Sequence, residues 1–151
     1  MTRKERAMEL FGQGYNCAQA VTLAFADLLP VDEATASRMA CSFGGGMGRL
    51  REVCGAASGM FMVYGLVRGY DGPEKGEVKA KHYAAVQAMA KAFEAANGAL
   101  VCRELLGLAE KHDAPEPSER THEFYQKRPC RDIVGAAAEI LEEYLTGEGK
   151  A

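Results

Sequence analysis

The sequence predicts an all-α fold, a compact single-domain helical bundle of six to eight helices over residues 1–151. Alanine, the best helix former, is abundant, and apolar residues recur at spacings of three and four. Runs of Val, Ile, Thr and aromatic residues alternating with period two are few, so strands have little support. The length suits one domain, and a hydrophobic share of 48% is enough to build a core without disulfide staples.

The elements follow in order. A first helix is expected over about Arg3 to Gln13, with Ala7, Leu10 and Phe11 on one side and Gly12 and Gly14 at its end. Asn16 is a good N-cap for a second helix, on which Cys17, Ala20, Val21, Ala24, Phe25 and Leu28 share a face before Pro30 stops it. Asp32 can cap a third, with Ala36, Met39 and Ala40 inward. Gly44, Gly45, Gly46 and Gly48 make a turn. A fourth helix runs from about Glu52 to Arg68 and carries Gly55, Gly59 and Gly65. Each glycine lowers helix propensity by roughly 1 kcal/mol relative to Ala. That is tolerable where helices approach closely, so this helix is expected at the centre. Asp71-Gly72-Pro73 breaks the chain, and a long fifth helix from about Lys75 to Ala96 ends at Asn97-Gly98. A short sixth carries Cys102, Leu105 and Leu106, and Lys111 to Arg120, with two prolines, reads as a polar loop. The last helix begins near Pro129, a residue suited to a first helical position. Its inner face is Cys130, Ile133, Val134, Ala137, Leu141 and Tyr144, and the tail from Gly147 frays.

Composition narrows the function. With 18 basic and 21 acidic residues the net charge is -3, which argues against a nucleic-acid partner, since phosphates call for a basic face. The start, MTRKERAMELF, mixes charge and apolar residues at helical spacing, unlike a secretory signal. The most apolar stretch, Val53 to Val67, is too short and too glycine-broken to insert in a membrane. A cytoplasmic location is therefore expected, where five cysteines point to metal binding or redox chemistry more than to structural disulfides.

Four of the cysteines are alike in placement. Cys17 follows the cap Asn16, Cys54 falls in the first turn after the glycines, and Cys130 follows Pro129. All three sit at expected helix N-termini, where free N–H groups and the helix dipole favour a thiolate. Cys102 is near the start of its short helix, on the side of Leu105 and Leu106. All four face the expected core and could meet there. Against this stands the plain alternative that free cysteine is a small, commonly buried hydrophobe. No CxxC is present, so neither a thioredoxin-type motif nor a zinc-ribbon pair is supported.

The segments GYNCAQAV (14–21), FGGGMG (43–48), VCGAASG (53–59), CRELLG (102–107) and Cys130 with AAAEILEEYL (136–145) resemble the redox-active family named for its C_GCAxxG_C_C cysteine pattern. The resemblance covers nearly the whole chain. It maps the family's four cysteines onto Cys17, Cys54, Cys102 and Cys130 and its core motif onto Cys54, Gly55, Ala56 and Gly59, leaving Cys41 outside. It implies redox activity and supplies no substrate or reaction.

Other candidates carry less. Gly44 to Gly48, followed by Arg49 and Arg51, lack the Gly-Lys-Ser/Thr ending of a P-loop, so a backbone turn beside a crowded site is the better reading. Arg49 and Arg51 could still balance the charge of nearby thiolates. His82, His112 and His122 show no metal-binding spacing, and Met60, Met62 and Tyr64 read as core. Three functions stay open, of which the first is the leading reading and the other two are its alternatives. The four cysteines could ligate an iron–sulfur cluster or another metal for electron transfer. Two of them could cycle between dithiol and disulfide, with no cofactor. They could instead hold zinc in a non-catalytic helical domain. The expected partner is another redox protein, and the glycine-notched helix could equally face a second copy in a homodimer.

Overall fold

The computed structural model describes residues 1–73, 76–107, 114–115, 120 and 129–147. Among them the chain forms seven α-helices: α1 (Arg3–Gly12), α2 (Cys17–Leu23), α3 (Glu33–Cys41), α4 (Gly55–Arg68), α5 (Gly76–Asn97), α6 (Cys102–Leu105) and α7 (Cys130–Leu145). A 3-10 turn, Ala26–Leu28, follows α2, and a glycine turn, Gly44–Met47, follows α3. No extended strand occurs among the described residues; the one β-type pairing is an isolated antiparallel bridge, Val53 to Val101.

The helix starts are where side chains can satisfy them. Thr2 accepts from the Glu5 N–H and Glu5 reaches back to the Thr2 backbone, a reciprocal cap. Asn16 and Gln19 repeat that arrangement on α2, and Asp32 accepts from the Thr35 N–H at 2.7 Å to open α3. The centre is shared by α2, α4 and α7: α2 lies along α4, and α7 packs on α1, α2, α4 and α5. Val21, Phe25, Met60, Val63, Met89, Phe93, Val134 and Leu141 fill it.

Three boundaries differ from expectation. The second helix leaves α geometry at Phe25 (φ −115°), well before Pro30. A 3-10 turn advances about 120° per residue rather than about 100°. The helical register is thereby lost, and Leu28 is turned outward, 44% exposed. Met39 is likewise 42% exposed, while Ala36 and Ala40 alone bury the inner face of α3. The fourth helix starts at Gly55, not Glu52, because Glu52 and Val53 are drawn into the bridge. There the Cys54 N–H donates to the Leu100 carbonyl at 2.9 Å and the Cys102 N–H to the Glu52 carbonyl at 2.6 Å. Pro129 is the N-cap of α7 rather than its first helical residue. Lys75, most of the expected 111–120 loop, His112, His122 and the tail beyond Gly147 lie outside the described residues.

No helix among the described residues is long and apolar enough to cross a membrane.

Candidate functional site

The site begins with the turn after α3. Gly45 (φ 68°) and Gly46 (φ 71°) enter left-handed backbone, and Met47, Gly48 and Arg49 continue it at φ 71°, 59° and 67°. Arg51 is also left-handed, at φ 59°. Each non-glycine residue held this way costs on the order of 1–2 kcal/mol, and such strain persists only where the surroundings over-determine it. Here hydrogen bonds fix it: the Arg51 N–H donates to the Gly45 carbonyl at 3.3 Å and the Glu52 N–H to the Gly46 carbonyl at 2.9 Å. The coil carries the chain from α3 into the Val53–Val101 bridge and aims Arg51 inward.

The glycines here also make space. A Cβ on Gly44 would stand 2.4 Å from Asn16 Nδ2, and one on Gly46 2.6 Å from Cys102 Cβ. A Cβ on Gly55 would stand 2.5 Å from Cys17 Sγ and 2.7 Å from the Phe43 carbonyl oxygen. The space beside Cys54 in the Cys-Gly-Ala run is thus filled by the sulfur of another cysteine. Gly59, one turn on, lets α4 approach α2, since a Cβ there would meet the Ala18 carbonyl at 2.8 Å. Gly65 has nothing within 4 Å of its Cβ position, so close packing does not account for it.

Cys17, Cys54, Cys102 and Cys130 all line one cavity of about 280 Å³. Cys17 and Cys130 are the first residues of α2 and α7, Cys54 is the N-cap of α4, and Cys102 is the first residue of α6. Cys54 and Cys102 are each 6% exposed, whereas Cys17 and Cys130 are half-buried. All four are free thiols. Cys41 ends α3, is exposed, places its Sγ 3.0 Å from the Arg38 carbonyl oxygen, and does not line the cavity.

The sulfurs are electrically unlike. The Cys54 thiol donates to Cys17, and the backbone N–H groups of Gly45, Ala18 and Cys17 also favour its charge. Together they overcome burial and hold the Cys17 pKa down at about 6. Cys54 is pushed well above its ordinary value, first by donating that hydrogen bond, then by burial and by the charges of Cys17 and Cys102. Arg51, 2% exposed, donates from Nη1 to Cys102 Sγ at 3.5 Å. Arg49 and Arg120 complete a cationic rim: Arg49 Nε donates to the Ala114 carbonyl at 2.6 Å and Arg120 Nη2 to that of Tyr15 at 2.8 Å.

Sequence reasoning placed Arg49 and Arg51 near the thiolates, and both line the cavity. It missed Arg120, whose only signal was its position at the end of a proline-containing polar stretch. It also missed the Val53–Val101 bridge, two valines too few to read as strands. His82 stacks among Tyr64, Tyr70 and Tyr83, away from the cavity.

Four thiols around one cavity are the donor chemistry of an iron–sulfur site. Among the described residues no three His, Cys, Asp or Glu side chains stand close enough together to hold a single metal ion.

The profile of the family described as "Putative redox-active protein (C_GCAxxG_C_C)" matches residues 15–144, a span that contains all four cavity cysteines. No curated protein and no solved structure matches the chain.

Proposed function

The chain belongs to the C_GCAxxG_C_C family, and on that premise we propose that it is a thiol–disulfide redox protein whose cycling pair is Cys17 and Cys54. The observation that carries this reading is the packing of Cys17 Sγ against the start of α4, where a Cβ on Gly55 would stand 2.5 Å from it, with Cys17 and Cys54 both on the wall of the cavity. A nucleophile and a resolving thiol are then neighbours, the pKa of Cys17 lowered and that of Cys54 raised.

In the reductive direction the Cys17 thiolate attacks one sulfur of a partner's disulfide. A mixed disulfide forms and the partner's other sulfur leaves as a thiolate. Cys54 loses its proton and attacks Cys17 Sγ, the Cys17–Cys54 bond forms, and the partner's second sulfur departs. The Cys17–Cys54 pair gives up two electrons and the Cys54 proton, which passes to the departing sulfur, and the partner's first thiolate takes its proton from water. The reverse sequence oxidises a partner dithiol. The natural partner is therefore a redox protein that presents a disulfide or a dithiol to the half-buried Cys17.

A second reading is favoured by the convergence of all four cysteines on one cavity. In it Cys17, Cys54, Cys102 and Cys130 would hold an iron–sulfur cluster, which would supply one-electron transfer. Zinc held by the same thiols in a non-catalytic domain is a third outcome of the same test. Anaerobic purification followed by metal analysis, an absorption spectrum and a thiol count decides among them. Metal-free, colourless protein that loses two of its five thiols on mild oxidation, with no loss in Cys17→Ala, is the expected result. Brown protein with stoichiometric iron replaces it with the cluster, and colourless protein with stoichiometric zinc replaces it with a zinc site.

A further inference from the structure

We propose that the cysteine cavity binds a low-molecular-weight organic anion that carries sulfur, an acidic thiol or its disulfide, with Arg49, Arg51 and Arg120 holding its carboxylate while its sulfur meets Cys17. The exchange step rests on the thiol–disulfide reading above and adds a second party to it: beside the protein partner, the pair trades electrons with a small acidic thiol. The anion site itself does not depend on that reading.

The first argument is the charge of the wall. Among the described residues that line the cavity are three arginines and no Asp or Glu. The chain as a whole is negative, at -3, so this concentration of positive charge is local. A second cavity, of about 470 Å³ beside α1, shows the contrast. There Arg3 and Arg6 share the wall with Asp27, Glu33 and Glu142, and Arg3 is ion-paired with Asp27. A cleft lined by one sign of charge concentrates ligands of the other, and the planar guanidinium matches a carboxylate.

The second argument is how the arginines are held. Arg51 is 2% exposed, and its backbone is left-handed at φ 59°. Burying a charge and holding a non-glycine residue in that region both cost free energy, and such strain gathers at ligand sites. Arg120 lies 4.2 Å over the Phe11 ring and donates to the carbonyls of Phe11 and Tyr15. Arg49 is tied to the Ala114 carbonyl. Groups fixed in this way lose little further freedom when an anion arrives. Their charge is in place before the ligand.

The rest of the wall sets the shape of the ligand. Phe11, Leu105, Leu106 and Ile133 border the cavity together with the four cysteines. Its volume of about 280 Å³ falls at the small end of small-molecule sites, which run from about 300 to about 1,000 Å³. A short apolar stem with an acidic end suits this wall, and half-buried Cys17 is the sulfur it meets. The exchange balances. The Cys17 thiolate attacks one sulfur of the small disulfide, a mixed disulfide forms, and the first small thiolate leaves and takes a proton from water. Cys54 attacks Cys17 Sγ, its proton passes to the second departing sulfur, and the Cys17–Cys54 bond closes. One small disulfide has become two thiols, and the pair has given up two electrons. Run backwards, two acidic thiols reduce the pair.

The test uses the full-length reduced, metal-free protein and three disulfides of like skeleton: dithiodipropionate (anionic), bis(hydroxyethyl) disulfide (neutral) and cystamine (cationic). Loss of protein thiols is followed at about 0.15 M salt, where the Debye length is about 8 Å. Each rate is divided by that of the same disulfide with mercaptoethanol, and the bond formed is mapped on tryptic peptides by mass spectrometry. Dithiodipropionate should saturate and exceed the neutral disulfide by about tenfold or more, with cystamine slowest. Suberate, the same dicarboxylate chain without sulfur, should slow dithiodipropionate and raise the melting temperature of the reduced protein, and octanediol should do neither. Arg51→Gln and Arg120→Gln should each cut the anionic-to-neutral ratio by about tenfold. Arg120 is half-buried, so its variant carries the test if Arg51→Gln does not fold. Equal normalised rates for the anionic and neutral disulfides, with no effect of suberate, overturn the anion site; a Cys17–Cys54 bond in the same samples leaves the parent reading standing. Suberate binding with no Cys17–Cys54 bond overturns the parent reading and the exchange step with it. A ratio unchanged in the folded arginine variants overturns the assignment of the anion to these arginines.

Discussion

Cys17 owes its acidity chiefly to a neighbour rather than to the backbone alone. The largest influence is the Cys54 thiol, ahead of the N–H groups of Gly45, Ala18 and Cys17. Alkylation of Cys17 by iodoacetamide should therefore rise with a midpoint near pH 6, while an ordinary thiol titrates near pH 9. In Cys54→Ala that midpoint should move up by on the order of one unit or more. The same pair sets a pH dependence of stability. The Cys17 pKa is lowered on folding, so its contribution is full above pH 9 and is lost as pH falls through 6. The Cys54 pKa is raised, so its contribution is full below pH 9 and is lost at higher pH. Reduced protein should accordingly gain stability from pH 6 toward 9 and lose it above; urea titrations across that range should show the lower limb flattened in Cys17→Ala. Gly55 is tested separately. Gly55→Ala puts a methyl 2.5 Å from Cys17 Sγ and 2.7 Å from the Phe43 carbonyl. The expected cost is about 1–3 kcal/mol, as for overpacking in general, together with a Cys17 alkylation midpoint shifted toward 9. An unchanged midpoint would show that Gly55 does not position the sulfur. Which cysteines belong together was legible from their places at the expected helix starts. That Gly55 is the space for Cys17 was not, because nothing along the chain says which residue fills a missing side chain.

At the scale of elements, two glycines on α4 make a controlled pair. Gly59 faces α2, where its Cβ would meet the Ala18 carbonyl at 2.8 Å and the Thr22 hydroxyl at 3.3 Å. Gly59→Ala should destabilise by about 1–3 kcal/mol through forced separation of α2 and α4. Gly65 has open space, so Gly65→Ala should stabilise by up to about 1 kcal/mol through helix propensity. Thermal melts followed by circular dichroism check both, and the same sign for the two would contradict the packing argument. Asn16 is a third element-level contact, capping Gln19 N–H at 2.8 Å and donating to the Cys41 carbonyl at 3.0 Å, so it ties α2 to the end of α3. Helix positions and caps were legible because capping and periodicity are local: Asn16 and Asp32 fall where their side-chain chemistry requires. What local reasoning could not supply was the start of α4 at Gly55. Glu52 and Val53 have ordinary helix-compatible sequence, and only Val101, 48 positions away along the chain, draws them into extended backbone. The outward turn of Leu28 has a comparable origin, a register that the 3-10 turn resets after the period has been read.

At the scale of the whole molecule, the site is assembled from four distant parts of the chain, so oxidation must act on the stability of the fold. Cys17 and Cys54 are 37 positions apart. Closing a loop of this length in the unfolded chain stabilises the native state by about 4 kcal/mol, in the chain-entropy account. Two consequences can be measured. Oxidised protein should melt above reduced protein, by about 8–16 °C if the full loop term is realised, since about 1 kcal/mol shifts a chain of this size by about 2–4 °C. Oxidised Cys102→Ala, which keeps both members of the Cys17–Cys54 pair, should melt within a few degrees of oxidised wild type. If oxidation instead lowers the melting temperature in both, the native arrangement strains the bonds. The chain would then work as an oxidant that discharges readily, rather than as one that holds its disulfide.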